Sequence, residues 1–170
     1  MKQLYALAIL LICFVSHGQN ESSLSLTRTN PDKGNFVWNE DALLSNKCTK
    51  SINDLLSDLF YYEGFEVAVV GISSIAPHTA DNYATSLFNF WALGNHTYND
   101  GLLVLIVKDQ RRVVFRTGSG TQSVLSDEEC KQIQEKLMVP KFKKGHYSKG
   151  TLKAIKVICK KLKDKSLQWA

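Results

Sequence analysis

The chain has 170 residues, of which 44% are hydrophobic and 22% are charged. This length and composition predict one globular domain with a single core. Ten Gly and three Pro are too few for a collagen-like or Pro/Gly-rich disordered chain, and four Cys are too few for a miniprotein built on disulfides. The net charge is a modest +5, and we expect no nucleic acid partner.

The N-terminus has the three parts of a secretory signal peptide. Lys2 supplies the charged start, an apolar run follows over 4–15, and Ser16 and Gly18 occupy the −3 and −1 positions of a cleavage site that would leave Gln19 first. The apolar run is shorter than the ~20 residues that span a bilayer, so a signal peptide is favoured over a membrane anchor. We therefore expect an exported protein, periplasmic or secreted, that does not span the membrane after cleavage.

Charge is unevenly distributed along the rest of the chain. Removal of residues 1–18 takes away one Lys and no acid, so a charge of +4 remains. Residues 131–165 contain twelve Lys and two acids, Glu135 and Asp164, a local charge of +10 that leaves −6 elsewhere. This basic stretch predicts attraction to anionic envelope components such as lipid or glycan, or to membrane proteins. The alternative is that its lysines only keep one helix face and one loop solvated.

The first half of the chain predicts two helices. After the short apolar segment 36–38, apolar residues recur at helical spacing, which predicts a helix over about 46–62 that ends at Gly64. A second helix is predicted to begin after Thr79, its N-cap, and to end near Gly94.

Strands are predicted between and after these helices. Two near-continuous apolar runs, Phe65–Ile72 and Gly101–Val107, are typical of strands buried on both faces. Asp109–Arg112 is polar and turn-like, so Val113–Arg116 is predicted to return as a hairpin partner. Gly118–Gly120 then predicts a flexible loop.

Two more helices are predicted in the C-terminal third. Ser126 and Glu129 have the spacing of a capping box, so a helix is expected over about 127–138, stopped by Pro140. A last amphipathic helix is expected over 149–163, with its lysines facing outward.

The alternation of helices with buried strands predicts an α/β fold. We expect a three-layer α/β/α sandwich in which a central, mostly buried sheet is flanked by helices. The folded domain is predicted to span 36–163. It would follow the signal peptide (1–18) and a polar, flexible tether (19–35), and precede a polar tail (164–170).

Three cysteines, Cys48, Cys130 and Cys159, remain after signal cleavage. Because three is an odd number, at most one intramolecular bridge can form, and the sequence does not decide which two would pair. All three stand beside apolar residues in predicted helices. We favour small buried hydrophobic side chains over disulfides.

Carboxylates and amides supply candidate metal ligands. Asp100 stands directly before a buried strand, and Asp127 opens a predicted helix. A hard cation such as calcium needs several oxygen ligands from separate loops. If the loops converge, the candidate ligands for calcium or another divalent cation are Asn39, Glu40, Asp41, Asp100, Gln122 and Asp127, with Asn99 as a further amide. We expect no organic cofactor.

A second candidate site is an anion cradle near the end of the hairpin. Arg116 offers a guanidinium, and Gly118, Ser119 and Gly120 offer backbone amides before a helix. The motif is weak, because glycines after a strand often serve a tight turn or close packing instead.

Several strings occur in a fixed order through most of the chain. They are Trp91–Gly94, Asn99–Ile106, Arg111–Arg112, Gly118-x-Gly120, Val124–Asp127, Pro140-x-Phe142-Lys143-x-Gly145-x-Tyr147 and Gly150. This ordered series resembles the TPM domain family over roughly residues 36–160. The resemblance implies a Rossmann-like α/β/α sandwich that is exported or membrane-associated. It also implies phosphatase activity, binding of calcium or another divalent metal, or accessory roles around membrane protein complexes.

Two positions depart from the pattern that this resemblance implies. Asn39 stands where the family commonly has Asp, and Gln122 stands where it commonly has Glu. An amide still offers an oxygen but no negative charge, and calcium affinity depends partly on ligand charge. We therefore predict weaker metal binding than at an intact site, unless Glu40 or Asp41 compensates, and we assign no catalytic residue.

The predicted function is that of an exported, calcium-responsive binding or accessory module for envelope or membrane protein complexes. One alternative is a metal-dependent phosphatase, in which the metal and Arg116 would stabilise the developing phosphoryl charge. The other is a module that docks on anionic lipid or glycan through the lysines of 131–165.

Overall fold

A computed structural model describes residues 34–39 and 41–166. The predicted signal peptide, the tether up to residue 33, Glu40 and residues 167–170 lie outside the described residues. The elements in chain order are β1 (Val37–Asn39), α1 (Asn46–Glu63), β2 (Glu66–Ile72), α2 (Ala80–Trp91), β3 (Gly101–Val107), β4 (Arg112–Thr117), α3 (Ser119–Val124), α4 (Asp127–Ile133), a π-helical segment (Gln134–Met138), α5 (Val139–Phe142) and α6 (Tyr147–Ser166). No helix in the described part of the chain is both long and apolar enough to cross a membrane.

The four strands form one mixed sheet in the order β1-β2-β3-β4. β1, β2 and β3 run parallel, and β4 returns antiparallel beside β3, which confirms the predicted hairpin. Every residue of β2 and β3 is buried. Their apolar runs therefore mark strands covered on both faces, as predicted, and the fold is a three-layer α/β/α sandwich.

The two faces of the sheet carry separate cores. α1, α4 and α6 cover one face, and α2 covers the other. The two parallel crossovers, β1-α1-β2 and β2-α2-β3, step in the same direction across the sheet but pass over opposite faces. The two crossovers therefore have opposite handedness, and one of them is left-handed, which is rare for connections between parallel strands.

The predicted helix starts are confirmed by side-chain caps. The Ser45 hydroxyl accepts from the Cys48 N–H at 3.3 Å at the start of α1, and Thr79 accepts from the Asn82 N–H at 3.4 Å at the start of α2. Gly64 ends α1 at φ +81°. α2 ends at Trp91, and its C-cap residue Ala92, two residues before the predicted Gly94, is in the left-handed region at φ +48°.

Three local predictions are wrong. Gly118–Gly120 is not a loop, since Gly118 is the N-cap of α3. Pro140 does not stop the helix, because α4 continues through the π-helical segment into α5. In this segment the Val139 N–H donates to the carbonyl of Gln134, five residues earlier. In a regular α-helix a proline ring collides with the carbonyl four residues earlier, and the wider π-helical turn avoids this collision at Pro140. α6 extends over 164–166, which were predicted as tail.

All three described cysteines are free and buried. Burial raises the pKa of the Cys130 thiol to about 12 and that of the Cys159 thiol to about 11. Thiols with such pKa values are protonated and poorly nucleophilic at neutral pH. The cysteines therefore act as small apolar core residues, as predicted.

The predicted capping box at Ser126 is confirmed and is joined to α6. The Ser126 hydroxyl accepts from the Glu129 N–H at 3.3 Å, and the Glu129 carboxylate accepts from the Ser126 N–H at 2.9 Å. The same carboxylate pairs with the Lys161 ammonium at 2.6 Å. The hydrogen bond from Lys161, followed by that from Ser126, lowers the pKa of Glu129 to about 2.

We expect this contact to stabilise the fold only where Glu129 is ionised. As the folded-state pKa is depressed, the contribution is complete above pH ~5 and is lost as the pH falls from ~4.5 to ~2. Glu129→Gln keeps a capping acceptor but removes the charge, so it should lower the free energy of unfolding by about 1 kcal/mol at pH 7. Thermal unfolding should show a midpoint about 3 °C lower at pH 7 and no difference near pH 2.

Glu128→Gln is the matched control, because exposed Glu128 has a weak 3.4 Å hydrogen bond from Gln132 on its own helix. Equal effects of the two substitutions at pH 7 would contradict the role given to Lys161.

Candidate functional site

The predicted metal ligands lie at two opposite ends of the sheet. Asn39 pairs with Gly71 at the carboxyl end of the parallel strands. Gly101, the residue after Asp100, pairs with Glu66 at the amino end. Five residue steps of β2 separate these two positions, a distance of about 16 Å. The loops therefore do not bring Asn39 and Asp41 together with Asp100, and Glu40 lies outside the described residues.

Asn39 and Asp41 hold the carboxyl-end loop in place. Asn39 Oδ1 accepts from the Leu44 N–H at 2.8 Å, while Asn39 Nδ2 donates to the Leu44 carbonyl at 2.7 Å. A carboxylate at this position could accept but not donate, so the amide suits the loop that leads into α1. The Asp41 carboxylate accepts from the Ser73 N–H at 2.6 Å and thereby joins this loop to the end of β2.

Asp100 and Asp127 line different cavities. Gln122 Nε2 donates to Asp127 Oδ2 at 2.9 Å, so this amide and carboxylate satisfy each other. Asp127 lines a cavity of about 250 Å³ beside Phe115 and Arg116 of β4. Asp100 instead lines two adjoining cavities at the amino end of the sheet.

Three donor groups of the predicted anion cradle, the Gly118 and Gly120 amides and the Arg116 guanidinium, are already used within the fold. The Gly118 N–H donates to the Gly101 carbonyl at 2.9 Å, and the Gly120 N–H donates to the Asn99 carbonyl at 3.0 Å. The Arg116 guanidinium donates to the Asp81 carboxylate on α2 at 3.3 Å. These bonds connect β4 and α3 to their neighbours, so the geometry does not support an anion site here.

The glycines of this segment serve close packing instead. A β-carbon on Gly118 would collide with the carbonyl oxygen of Asn99, and one on Gly120 would collide with that of Tyr98. The backbone before β3 therefore lies directly against the start of α3. This contact fixes the loop that carries Asp100.

We expect Gly120→Ala to destabilise the domain, because the Tyr98 carbonyl oxygen would have to shift. The loss should be at least about 2 kcal/mol, the range of an overpacked contact, and thermal unfolding followed by circular dichroism measures it. Ser119→Ala is the control, since Ser119 is exposed in the same helical turn. Equal changes of the unfolding midpoint by Gly120→Ala and Ser119→Ala would exclude close packing at Gly120 as the cause.

Three carboxylates line the paired cavities at the amino end of the sheet. Their volumes are about 450 and 440 Å³, and they share Gly64, Tyr98 and Asp100 in their walls. Glu63 lines one and Glu66 lines the other. None of the described residues that line this amino-end cleft is Lys, Arg or His. The cleft therefore has a negative potential that favours cationic groups.

The loop between α2 and β3 holds two of these carboxylates. Asp100 Oδ1 accepts from the Asn95 N–H at 2.6 Å, and the buried Glu66 carboxylate accepts from the Gly94 N–H at 2.9 Å. Asp100 Oδ2 lies beside Gly64, since a β-carbon added to Gly64 would be 3.9 Å from this oxygen. Two acids are thus oriented by backbone amides of one short turn.

Exposed aromatic side chains lie at the same end of the sheet as the amino-end cleft. Tyr61 and Tyr62 lie in the last turn of α1, Phe90 lies near the end of α2, and Tyr98 lies in the loop before β3. Their exposed fractions range from 59% to 80%. Both helices run antiparallel to the strands, so their ends meet at the amino end of the sheet. Tyr98 lines the acidic cleft itself, and the other three aromatic residues lie at the same end of the sheet.

The described carboxylates do not form a preformed calcium site. Within the part of the chain that the structure describes, no three His, Cys, Asp or Glu side chains are grouped so that they could hold an ion. The oxygen donors suit a hard cation chemically, but they are not arranged to enclose one. Calcium binding accordingly stays a prediction.

Asp100 was predicted from the sequence as a site residue, but the other acidic and aromatic residues of the cleft were not. Glu63 and Tyr98 line it together with Asp100, and Glu66 lies inside an apolar strand run. Two signals for these residues were available in the sequence. They were an acid within an apolar run and aromatic residues at the predicted helix ends. Neither signal shows that these residues lie near Asp100, because this depends on the strand register.

The chain belongs to the TPM-domain family, since it matches the family model described as TPM domain over residues 37–161. No curated protein matches the chain. It resembles the solution structure of the N-terminal domain of a P. gingivalis protein, with 30% identity, a TM-score of 0.73, and coverage of 82% of this chain and 95% of that one.

Two further solution structures share the fold. One is the BA42 protein of the psychrophilic bacterium Bizionia argentinensis, with 19% identity, a TM-score of 0.61, and coverage of 72% of this chain and 83% of that one. The other is the N-terminal domain of the cg2496 protein of Corynebacterium glutamicum, with 12% identity, a TM-score of 0.58, and coverage of 81% and 82%.

Proposed function

We propose that this TPM-domain protein is a binding or accessory module whose amino-end cleft receives a basic segment of a partner protein. The observation that carries this proposal is the coincidence of three carboxylates with Tyr98 in the cleft walls and with further exposed aromatic side chains at the same end of the sheet. Tyrosine and phenylalanine are enriched in protein interfaces. Their ring faces attract Lys and Arg, and the acids between them add charge complementarity.

A binding role is favoured over metal-assisted phosphoryl transfer. Arg116 was the residue expected to stabilise phosphoryl charge, and its guanidinium is held by Asp81 and by Thr85 on α2. Asp100 lies in a separate cavity that Arg116 does not line. The Arg116 guanidinium is therefore not placed against a phosphoryl group bound near Asp100.

The setting of this binding role is the cell envelope. The signal peptide predicted over residues 1–18 supports a location in the periplasm or outside the cell. There we propose that it assists envelope or membrane protein complexes. Docking of the 131–165 lysines on anionic lipid or glycan is a secondary mode that could bring the module close to such a complex.

Binding at the cleft should be measured with a blocked seven-residue peptide of alternating Lys and Ala, titrated into the ¹⁵N-labelled protein. We expect saturable shifts around Gly64, Asn95 and Asp100, and weaker binding as salt rises. Asp100→Asn keeps the acceptor for Asn95 but removes the charge. Both Asp100→Asn and Tyr98→Ser should weaken binding several-fold.

Glu135→Gln is the matched control, because exposed Glu135 lies in the π-helical segment and does not line the cleft. It should bind the peptide like the unchanged protein. Equal binding of a peptide with Glu in place of Lys, or undiminished binding by the Asp100→Asn variant, would exclude this proposal.

Calcium is proposed as a weak co-ligand at Asp100. At about five times its dissociation constant, calcium should stabilise the fold by about 1 kcal/mol, which raises the midpoint of thermal unfolding by about 3 °C. We expect Asp100→Asn to abolish this rise and Asp127→Asn to preserve it, since the Asp127 carboxylate is bonded by Gln122. A rise that survives Asp100→Asn would place the ion elsewhere.

A further inference from the structure

A third cavity of about 410 Å³ lies at the carboxyl end of the sheet. It is bounded by the β3-β4 hairpin on one side and by the junction of α5 with α6 on the other. We call it the hairpin pocket. Its lining residues are Ile106, Val107, Arg111, Arg112, Val113, Val139, Phe142, Lys143 and Tyr147.

The hairpin pocket differs in charge from the amino-end cleft. Three of its lining residues are basic, and none of the described lining residues is acidic. Arg112 donates to the Asp81 carboxylate on α2 at 2.9 Å. Within residues 34–39 and 41–166, no ion pair or hydrogen bond engages the side chain of Arg111 or Lys143. Two unpaired cations therefore border one cavity.

The wall opposite the hairpin is apolar and fixed. The rings of Phe142 and Tyr147 pack with their centroids 4.8 Å apart. A β-carbon on Gly150 would collide with the Phe142 ring, so the glycine allows this ring to lie directly on α6. Val139 adds aliphatic surface to this wall, and Val113 adds it on the hairpin side. The pocket thus exists without rearrangement of its wall.

Arg111 occupies a turn position that costs backbone energy. Its φ is +51°, in the left-handed region that Gly or Asn adopts more readily. The Arg111 N–H donates to the Lys108 carbonyl at 3.1 Å, which closes the turn. The turn itself does not require an arginine side chain.

We propose that the hairpin pocket binds a small organic anion, an apolar ring or short chain that carries one carboxylate or phosphate group. Its volume is within the range of small-molecule sites, which are mostly apolar with a few polar groups that orient the ligand. The apolar body would lie on Phe142 and the two valines. The anionic head would receive charge-assisted hydrogen bonds from Arg111 and Lys143. This site is independent of the amino-end cleft.

The test is a titration of the ¹⁵N-labelled full chain with 4-phenylbutyrate, phenyl phosphate and the neutral 4-phenylbutanol. We expect saturable shifts at Arg111, Val113, Lys143 and Tyr147 with at least one of the two anions. The anion that binds more tightly identifies the head group. The alcohol should bind at least tenfold more weakly, because charged hydrogen bonds contribute a factor of this size.

Arg111→Asn removes the guanidinium at a position whose backbone suits asparagine, so the turn should be retained. Combined with Lys143→Gln, it should weaken anion binding at least tenfold. Lys156→Gln is the control, because exposed Lys156 on α6 does not line the pocket. If the double variant does not fold, Lys143→Gln alone should still weaken binding several-fold. Shifts outside the pocket, equal binding of the alcohol, or unchanged affinity in the folded variants would overturn the proposal.

Discussion

The burial of β2 and β3 on both faces is the constraint on which the rest of the structure depends. Every residue of these two strands is buried, so helices must cover both sides of the sheet. α1, α4 and α6 cover one face and α2 covers the other. With both faces covered, ligands can reach the central strands only at their ends. The amino-end cleft and the hairpin pocket lie at these two ends.

The two binding cavities at these ends carry opposite charge. Glu63, Glu66 and Asp100 line the amino-end cleft, whereas Arg111 and Lys143 border the hairpin pocket. The aromatic side chains also differ in exposure. Those near the cleft are exposed, which suits a segment of a partner protein, while those of the pocket pack against each other and suit a small ligand. One small sheet can thereby offer two kinds of binding site without interference between them.

Local patterns predicted the elements well, because the interactions that form them span only a few residues. The cap at Thr79, the box at Ser126 and the end of α1 at Gly64 each depend on groups within four positions. The wrong predictions concern segments whose conformation depends on groups outside the local sequence pattern. α3 begins directly after Gly118, where the Gly118 and Gly120 amides bond to the carbonyls of Gly101 and Asn99. Pro140 remained helical because a π-helical segment precedes it.

The sequence by itself determined β2, β3, β4, the longer helices and the three-layer order, since hydrophobic periodicity and caps report burial locally. It also identified Asp100, Asp127 and Asn39 as polar groups at element ends. Only the tertiary structure decided which of these meet. Parallel pairing of β1 and β2 places Asn39 at the carboxyl end, and the pairing of Glu66 with Gly101 places Asp100 at the amino end. Strand direction and register join residues far apart in the chain, and no local pattern encodes them.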